Sequence, residues 1–188
     1  MSVIEMILLG VGLAMDAVAV SITNGMVYRN ITRAKYVSMP VLFGLFQLMM
    51  PVAGYYAGSL FGDFLKENSG LVVLIILGVI GARMIIEGLK KLVSGGDDSA
   101  ASAGRDLSFA TVLLQAVATS IDAFAVGVGL RAADANMWIT VCIIGIVTAA
   151  LVTAALFAGK KLGQLLGKYS EIAGGAILLA IGIRAFFA

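Results

Sequence analysis

Two aspartates stand in the middle of long apolar segments, where a charge is costly. Asp16 and Asp122 lie near the centres of their segments, and an isolated charge at that depth in a membrane costs at least about 2.5–3.5 kcal/mol. Such a residue needs a cation, a proton or a partner. Two carboxylates facing one cavity would form a hard-oxygen site for a divalent cation and could couple metal release to proton uptake. The alternative is a buried structural aspartate bonded to an arginine or to the backbone.

Polar neighbours on the same segments are further candidate metal ligands. They share a helical face with one of the two aspartates or flank that face. The set is Thr23, Asn24, Thr119 and Ser120. Because hydroxyl groups in membrane helices commonly bond to their own backbone or to a neighbouring helix, a purely structural role stays open for them.

Other charged and polar residues are candidates for gating or for charge pairing. Arg83 and Glu87 have the i, i+4 spacing of an ion pair within one helix. Alternatively, Arg83 bonds to a central aspartate and is displaced by the metal. Arg184 occupies the matching place in the second half, and Glu171 either caps the sixth helix or guards metal entry. Gln47 precedes a proline that could open a polar kink.

The composition predicts that a bilayer surrounds these residues. Hydrophobic residues make up 61% of the 188 residues and charged residues only 13%, against about 25% charged in soluble domains. Since a membrane helix needs about 20 mostly apolar residues, we predict an all-α membrane protein with six transmembrane helices. They cover residues 3–26, 37–60, 70–90, 108–130, 137–159 and 170–187.

An internal repeat divides the chain into two halves. The sequence around Asp16 matches the sequence around Asp122 at an offset of 106, and later glycines and Arg83 match Gly145, Gly159, Gly163, Gly182 and Arg184 at an offset of 101. We therefore predict a three-helix repeat over residues 1–91, a cytoplasmic linker over 92–107 and a second repeat over 108–188. Because each half has an odd number of helices, the halves are expected to be inverted, as in many secondary transporters.

The basic residues predict the orientation. The first, third and fifth loops hold nine lysines and arginines, whereas the second and fourth hold only Lys66 and Arg131. By the positive-inside rule, the odd loops are cytoplasmic and both termini lie outside. The nine are Arg29, Arg33, Lys35, Lys90, Lys91, Arg105, Lys160, Lys161 and Lys168.

Several classes of function are disfavoured. The net charge of +2 gives no reason to expect a nucleic-acid partner, and the absence of histidine with a single cysteine argues against a soft zinc or copper(I) site. No phosphate-binding loop of the ATPase type is present, and we expect neither a cofactor nor an enzyme. The oxygen ligands suit manganese, magnesium, calcium or iron(II), and the oligomeric state is left open.

Three segments resemble a known family of transporters. They are Gly12–Ala17 in the first helix, Gly81–Gly88 in the third and Ala118–Leu130 in the fourth. They are similar to the MntP family of manganese efflux pumps, in the LysE superfamily of small exporters. The resemblance implies Mn²⁺ export across the bacterial cytoplasmic membrane, with Asp16 and Asp122 as the family's two helix-centre aspartates. Export of another divalent cation or a cationic amino acid, and an intramembrane aspartyl enzyme, are the alternatives.

Overall fold

The protein is an assembly of apolar helices. The computed structural model describes residues 2–28, 31–93, 107–132 and 136–187, without the side chains at 58–69, 91, 131–132 and 168. Six described segments are long and apolar enough to cross a membrane. They are TM1 (Val3–Val27), TM2 (Arg33–Ala57), TM3 (Gly70–Lys90), TM4 (Phe109–Leu130), TM5 (Met137–Leu166) and TM6 (Ser170–Phe187). The predicted all-α membrane fold with six spans is confirmed.

TM2 and TM3 belong to one helix, which differs from the predicted break between residues 60 and 70. Helical hydrogen bonding is continuous from Arg33 to Val93. The helix must nevertheless bend between the two spans, because Tyr36 near its start stacks on Phe157 of TM5 and Gly88 near its end packs on Ile172 of TM6, on the same side of the bundle. The segment between the two spans is polar enough to end an apolar stretch, but it lacks proline and contains good helix formers such as Leu65, Lys66 and Glu67. Polarity therefore ends the span while the backbone stays helical. The first two residues of the predicted linker, 92 and 93, are the last two of this helix, and residues 94–106 lie outside the described part of the chain.

The fifth helix is longer than predicted and ends at a glycine. TM5 continues to Leu166, so that Lys160 and Lys161 extend from its last turns and not from a loop. Gly167 follows with a φ of 53°, a left-handed conformation that glycine adopts without a steric cost. A short 3₁₀ turn, Gly167–Tyr169, then leads into TM6.

Close contacts show that successive spans alternate in direction. Gly163 packs against Met26, and an added Cβ at Gly174 would lie 2.8 Å from Val27. TM5 therefore ends, and TM6 begins, near the end of TM1. We call this side of the bundle the Val27 end. Gly70 packs against Ala185, which places the start of TM3 and the end of TM6 at the opposite side, the Val3 end.

The packing partners are compatible with two related halves. TM1 packs mainly on TM5, and the helix that contains TM2 packs on TM4, TM5 and TM6. Where TM2 meets TM5, a Cβ on Gly44 would lie 2.8 Å from the carbonyl oxygen of Gly145, and the reverse distance is 3.0 Å. These two glycines are equivalent at the offset of 101, so a pseudo-two-fold axis would pass between them. The inverted repeat stays a prediction.

Large apolar side chains cover the outside of the bundle. Ile4, Val79 and Ile146 are 71%, 65% and 70% exposed. A water-soluble domain rarely displays apolar surface so widely, whereas hydrocarbon solvates it well. The interior is also apolar, with Phe43 and Leu156 almost fully buried. Each polar side chain buried inside the bundle therefore needs a hydrogen-bond partner or a function.

Candidate metal site

Asp16 and Asp122 line the same cavity. Asp16 lies midway along TM1, and Asp122 lies midway along TM4. Between them and TM3 and TM6 is a cavity of about 270 Å³, which we call the aspartate cavity. Its other lining residues are Gly70, Val73, Ala118, Ile121, Ile181, Arg184 and Ala185. The two acidic residues that stood out in the sequence are thus brought together from distant parts of the chain.

The walls of the aspartate cavity are apolar apart from three charged side chains. Oδ1 of Asp122 accepts a hydrogen bond of 2.8 Å from the backbone N–H of Ala123. Among the described residues, no cluster of three or more acidic, histidine or cysteine side chains occurs. Two carboxylates can supply up to four oxygens, whereas a hard divalent cation commonly takes about six. Water or backbone carbonyl groups would have to supply the remainder.

The two equivalent arginines have different surroundings. Arg184, near the end of TM6, is the third charged residue of the aspartate cavity. Arg83 lies elsewhere, with its side chain 76% exposed and its Nε donating to Oε1 of Glu87 at 2.8 Å. The ion pair suggested by the i, i+4 spacing is therefore present. Within the residues that the structure describes, Arg83 makes no bond to a central aspartate.

The candidate hydroxyl ligands donate to their own helices. Thr23, Thr119 and Ser120 bond to the carbonyl oxygen four residues earlier, at 3.1, 2.9 and 2.8 Å. All three are buried, and none is among the residues that line the aspartate cavity. This bonding satisfies the hydroxyl hydrogens inside an apolar bundle. A metal-ligand role for these residues stays a prediction.

Asn24 has a partner that sequence reasoning missed. Its Nδ2 donates to Oε1 of Gln115 at 2.8 Å, and Nε2 of Gln115 donates back to Oδ1 of Asn24 at 3.2 Å. Both residues are only 1% exposed. A glutamine inside an apolar span, seven residues from Asp122 and so on the same helical stripe, was the available signal. The pair joins TM1 to TM4.

Gln47 and Glu171 lie away from the aspartate cavity. Nε2 of Gln47 donates to the carbonyl oxygen of Leu13 at 3.0 Å, which ties TM2 to TM1 one turn from Asp16. Glu171 is 9% exposed in the first turn of TM6. A Cβ on Gly88 would approach its Cβ to 3.2 Å, so Glu171 faces TM3 at the Val27 end. The gating roles predicted for both residues stay predictions.

A family model described as "Putative manganese efflux pump" matches residues 30–186. The chain belongs to this family, MntP. The resemblance noted in the sequence is thereby confirmed, and the protein is a multi-pass membrane protein of a family named for manganese efflux. Members are named as transporters and not as enzymes.

Three relatives are similar to this chain over nearly its whole length. The protein named "Putative manganese efflux pump MntP" from Ruminiclostridium cellulolyticum is 41% identical over 99% of this chain and 96% of its own length. One named "Putative manganese efflux pump MntP 2" from Clostridium botulinum (strain Hall) is 38% identical, with 99% and 94% covered. An MntP relative from Methanobrevibacter smithii is 38% identical, with 97% and 96% covered. No solved structure matches the chain.

Proposed function

We propose that this MntP protein is a secondary transporter that exports Mn²⁺ from the cytoplasm across the bacterial cytoplasmic membrane. Asp16 and Asp122 bind the ion in the aspartate cavity, which opens alternately to the two sides. The observation that carries the proposal is the meeting of these two carboxylates, one from each half of the chain, in one cavity at mid-span depth. The family name supplies the metal and the direction.

The chemistry of the aspartate cavity fits this cargo. Two carboxylates balance the charge of a divalent cation, and carboxylate and water oxygens are ligands that Mn²⁺ accepts. When the metal leaves, the two negative charges face each other in apolar surroundings. Uptake of a proton by one of them relieves this repulsion. Protons are therefore our candidate for the coupling ion.

The positions of the basic residues indicate which end of the bundle faces the cytoplasm. Arg33 and Lys35 begin TM2, Lys90 ends TM3, and Lys160 and Lys161 lie on the last turns of TM5, all at the Val27 end. By the positive-inside rule, this end faces the cytoplasm. The aspartate cavity reaches Gly70 and Arg184, toward the Val3 end. We infer that the structure represents an outward-facing state.

A second candidate substrate is a cationic amino acid. Arg184 stands in the same cavity as the two aspartates, so an α-carboxylate could bind the guanidinium while an ammonium group binds the carboxylates. Manganese agrees better with the names of the relatives. Competition between lysine and Mn²⁺ for the purified protein separates the two, because only an amino-acid exporter would bind lysine.

Replacement of each aspartate by asparagine tests the proposal. Asp16→Asn and Asp122→Asn keep the size of the side chain but remove its charge. Each variant should lower Mn²⁺ efflux from reconstituted vesicles by about 100-fold or more, since losing even a residue that supports a metal ligand costs about 10–100-fold. Glu5→Gln is the matched control, because Glu5 lies on TM1 at the Val3 end and glutamine can also complete the capping box with Ser2. Efflux that survives in both aspartate variants would rule out the paired-aspartate mechanism.

A further inference from the structure

The Asn24–Gln115 pair lies on the same two helices as the aspartates. Asn24 follows Asp16 on TM1 by eight residues, and Gln115 precedes Asp122 on TM4 by seven. At about 1.5 Å per residue, the pair is about 10–12 Å from the carboxylates. It lies toward the Val27 end, whereas the aspartate cavity extends toward the Val3 end. The two features therefore occupy opposite sides of the carboxylates.

The amides of Asn24 and Gln115 form two reciprocal hydrogen bonds. Each side chain donates one hydrogen bond and accepts one, at 2.8 and 3.2 Å. Both are shielded from solvent. Removing one partner leaves the other amide buried without a hydrogen bond, and this lowers the stability of the folded protein. The pair therefore holds TM1 and TM4 together at this level as long as water is excluded.

TM6 and TM3 pack closely on TM1 at the level of the amide pair. A Cβ on Gly174 would lie 2.9 Å from Cγ2 of Thr23, 2.8 Å from Cγ2 of Val27 and 2.9 Å from Cε of Met84. This glycine lets TM6 approach TM1 and TM3 with no gap. Thr23, Asn24 and Val27 are all buried as a result. The layer that contains the amide pair is thus tightly packed, about two to three turns from the aspartates along TM1.

We propose that the Asn24–Gln115 pair is the cytoplasmic gate of the transporter, an inference that rests on the proposed export function. With the amides bonded, Mn²⁺ at the aspartates is cut off from the cytoplasm and exposed only outside. When TM1 and TM4 separate, water replaces the amide–amide bonds and the ion enters from the cytoplasm. Neutral amides suit this place because they bond strongly in a dry layer, exchange readily with water and do not repel a cation.

The gate is tested by the side from which a cavity residue can be labelled. In a Cys142→Ser background, Ala118→Cys places a thiol between Gln115 and Asp122. Its reaction with a membrane-impermeant thiol reagent is measured from each face of oriented vesicles. With the amides intact, labelling should occur mainly from outside. Adding Asn24→Leu or Gln115→Leu should raise the rate from the cytoplasmic face by about tenfold, because one buried amide is left unsatisfied in the closed state.

An exchange of the two side chains is the matched control. Asn24→Gln combined with Gln115→Asn retains two amides of the same total length, so its labelling should match that of the parent. Retained Mn²⁺ binding from the outside establishes that each variant is folded. Unchanged cytoplasmic labelling in leucine variants that bind Mn²⁺ would overturn the gate. It would leave the proposed function standing, because that function fails only if the aspartate-to-asparagine variants still transport Mn²⁺.

Discussion

The two sides of the aspartate pair differ, although TM1 and TM4 contribute to both. Toward the Val3 end, the carboxylates share a cavity of about 270 Å³ with Arg184. Toward the Val27 end, the same helices are joined by Asn24 and Gln115 in a buried amide pair. The open side therefore carries a charge and the closed side carries neutral hydrogen-bonding groups. TM1 and TM4 therefore place different kinds of side chain at different depths of the bundle.

The backbone of TM1 packs more tightly on TM5 at the Val27 end than at the Val3 end. At the Val27 end, a Cβ on Gly25 would collide with the carbonyl oxygen of Leu156, whereas one on Gly12 would meet nothing within 4 Å. TM1 and TM5 are thus in direct backbone contact near the amide pair. Nearer the Val3 end, the packing is looser: a Cβ on Gly10 would lie 3.3 Å from Cα of Ile144 in TM5, and the face of TM1 that carries Gly12 is open. The closed side is closed by backbone contact as well as by hydrogen bonds.

The largest expected effect comes from breaking that backbone contact. Gly25→Ala should destabilise the protein by about 1–3 kcal/mol, since backbone atoms of TM5 would have to move. Gly12→Ala should be neutral or stabilise by up to about 0.5–1 kcal/mol, because alanine favours the helix and finds free space. Thermal unfolding in detergent measures both. Equal midpoints for the two variants would contradict the tighter packing at the Val27 end.

The next effect, close in size, is expected from the amide pair. Asn24→Leu or Gln115→Leu alone should cost about 1–3 kcal/mol of stability, because the remaining amide is buried without its partner. The double leucine variant should cost clearly less than the sum, since neither amide is then stranded. A double-mutant cycle on unfolding free energies gives the coupling. Additive losses would mean that the pair does not bond in the membrane.

The smallest effect is expected on the open side. Arg184→Gln should tighten Mn²⁺ binding by roughly fivefold, because a positive charge is removed from the aspartate cavity while its shielding by solvent keeps the gain modest. Arg83→Gln is the matched control, because Arg83 pairs with Glu87 outside that cavity. Titration calorimetry with Mn²⁺ compares the two variants. A similar change in Mn²⁺ affinity for both variants would show that Arg184 acts through the net charge of the protein and not through its position in the aspartate cavity.

Much of the site could be predicted from residue types and spacing. Asp16 and Asp122 stood out because a charge is rare in the middle of an apolar span, and they do line one cavity. The ion pair of Arg83 with Glu87 followed from i, i+4 spacing alone. Gln115 was missed because a neutral amide carries a weaker signal than a charge. Its importance depends on Asn24, 91 residues away in the sequence.

The six apolar spans, the depth of the two aspartates and the family could be predicted from the sequence alone. Span length and hydropathy act locally, so they can be read from the chain without knowledge of contacts. The tertiary structure was needed to show that Arg184, and not Arg83, lines the cavity with the aspartates, and that Asn24 bonds to Gln115. These outcomes depend on which helices pack together and at what height. Contacts between distant segments, such as Gly44 with Gly145 and Gly174 with Val27, fix that arrangement.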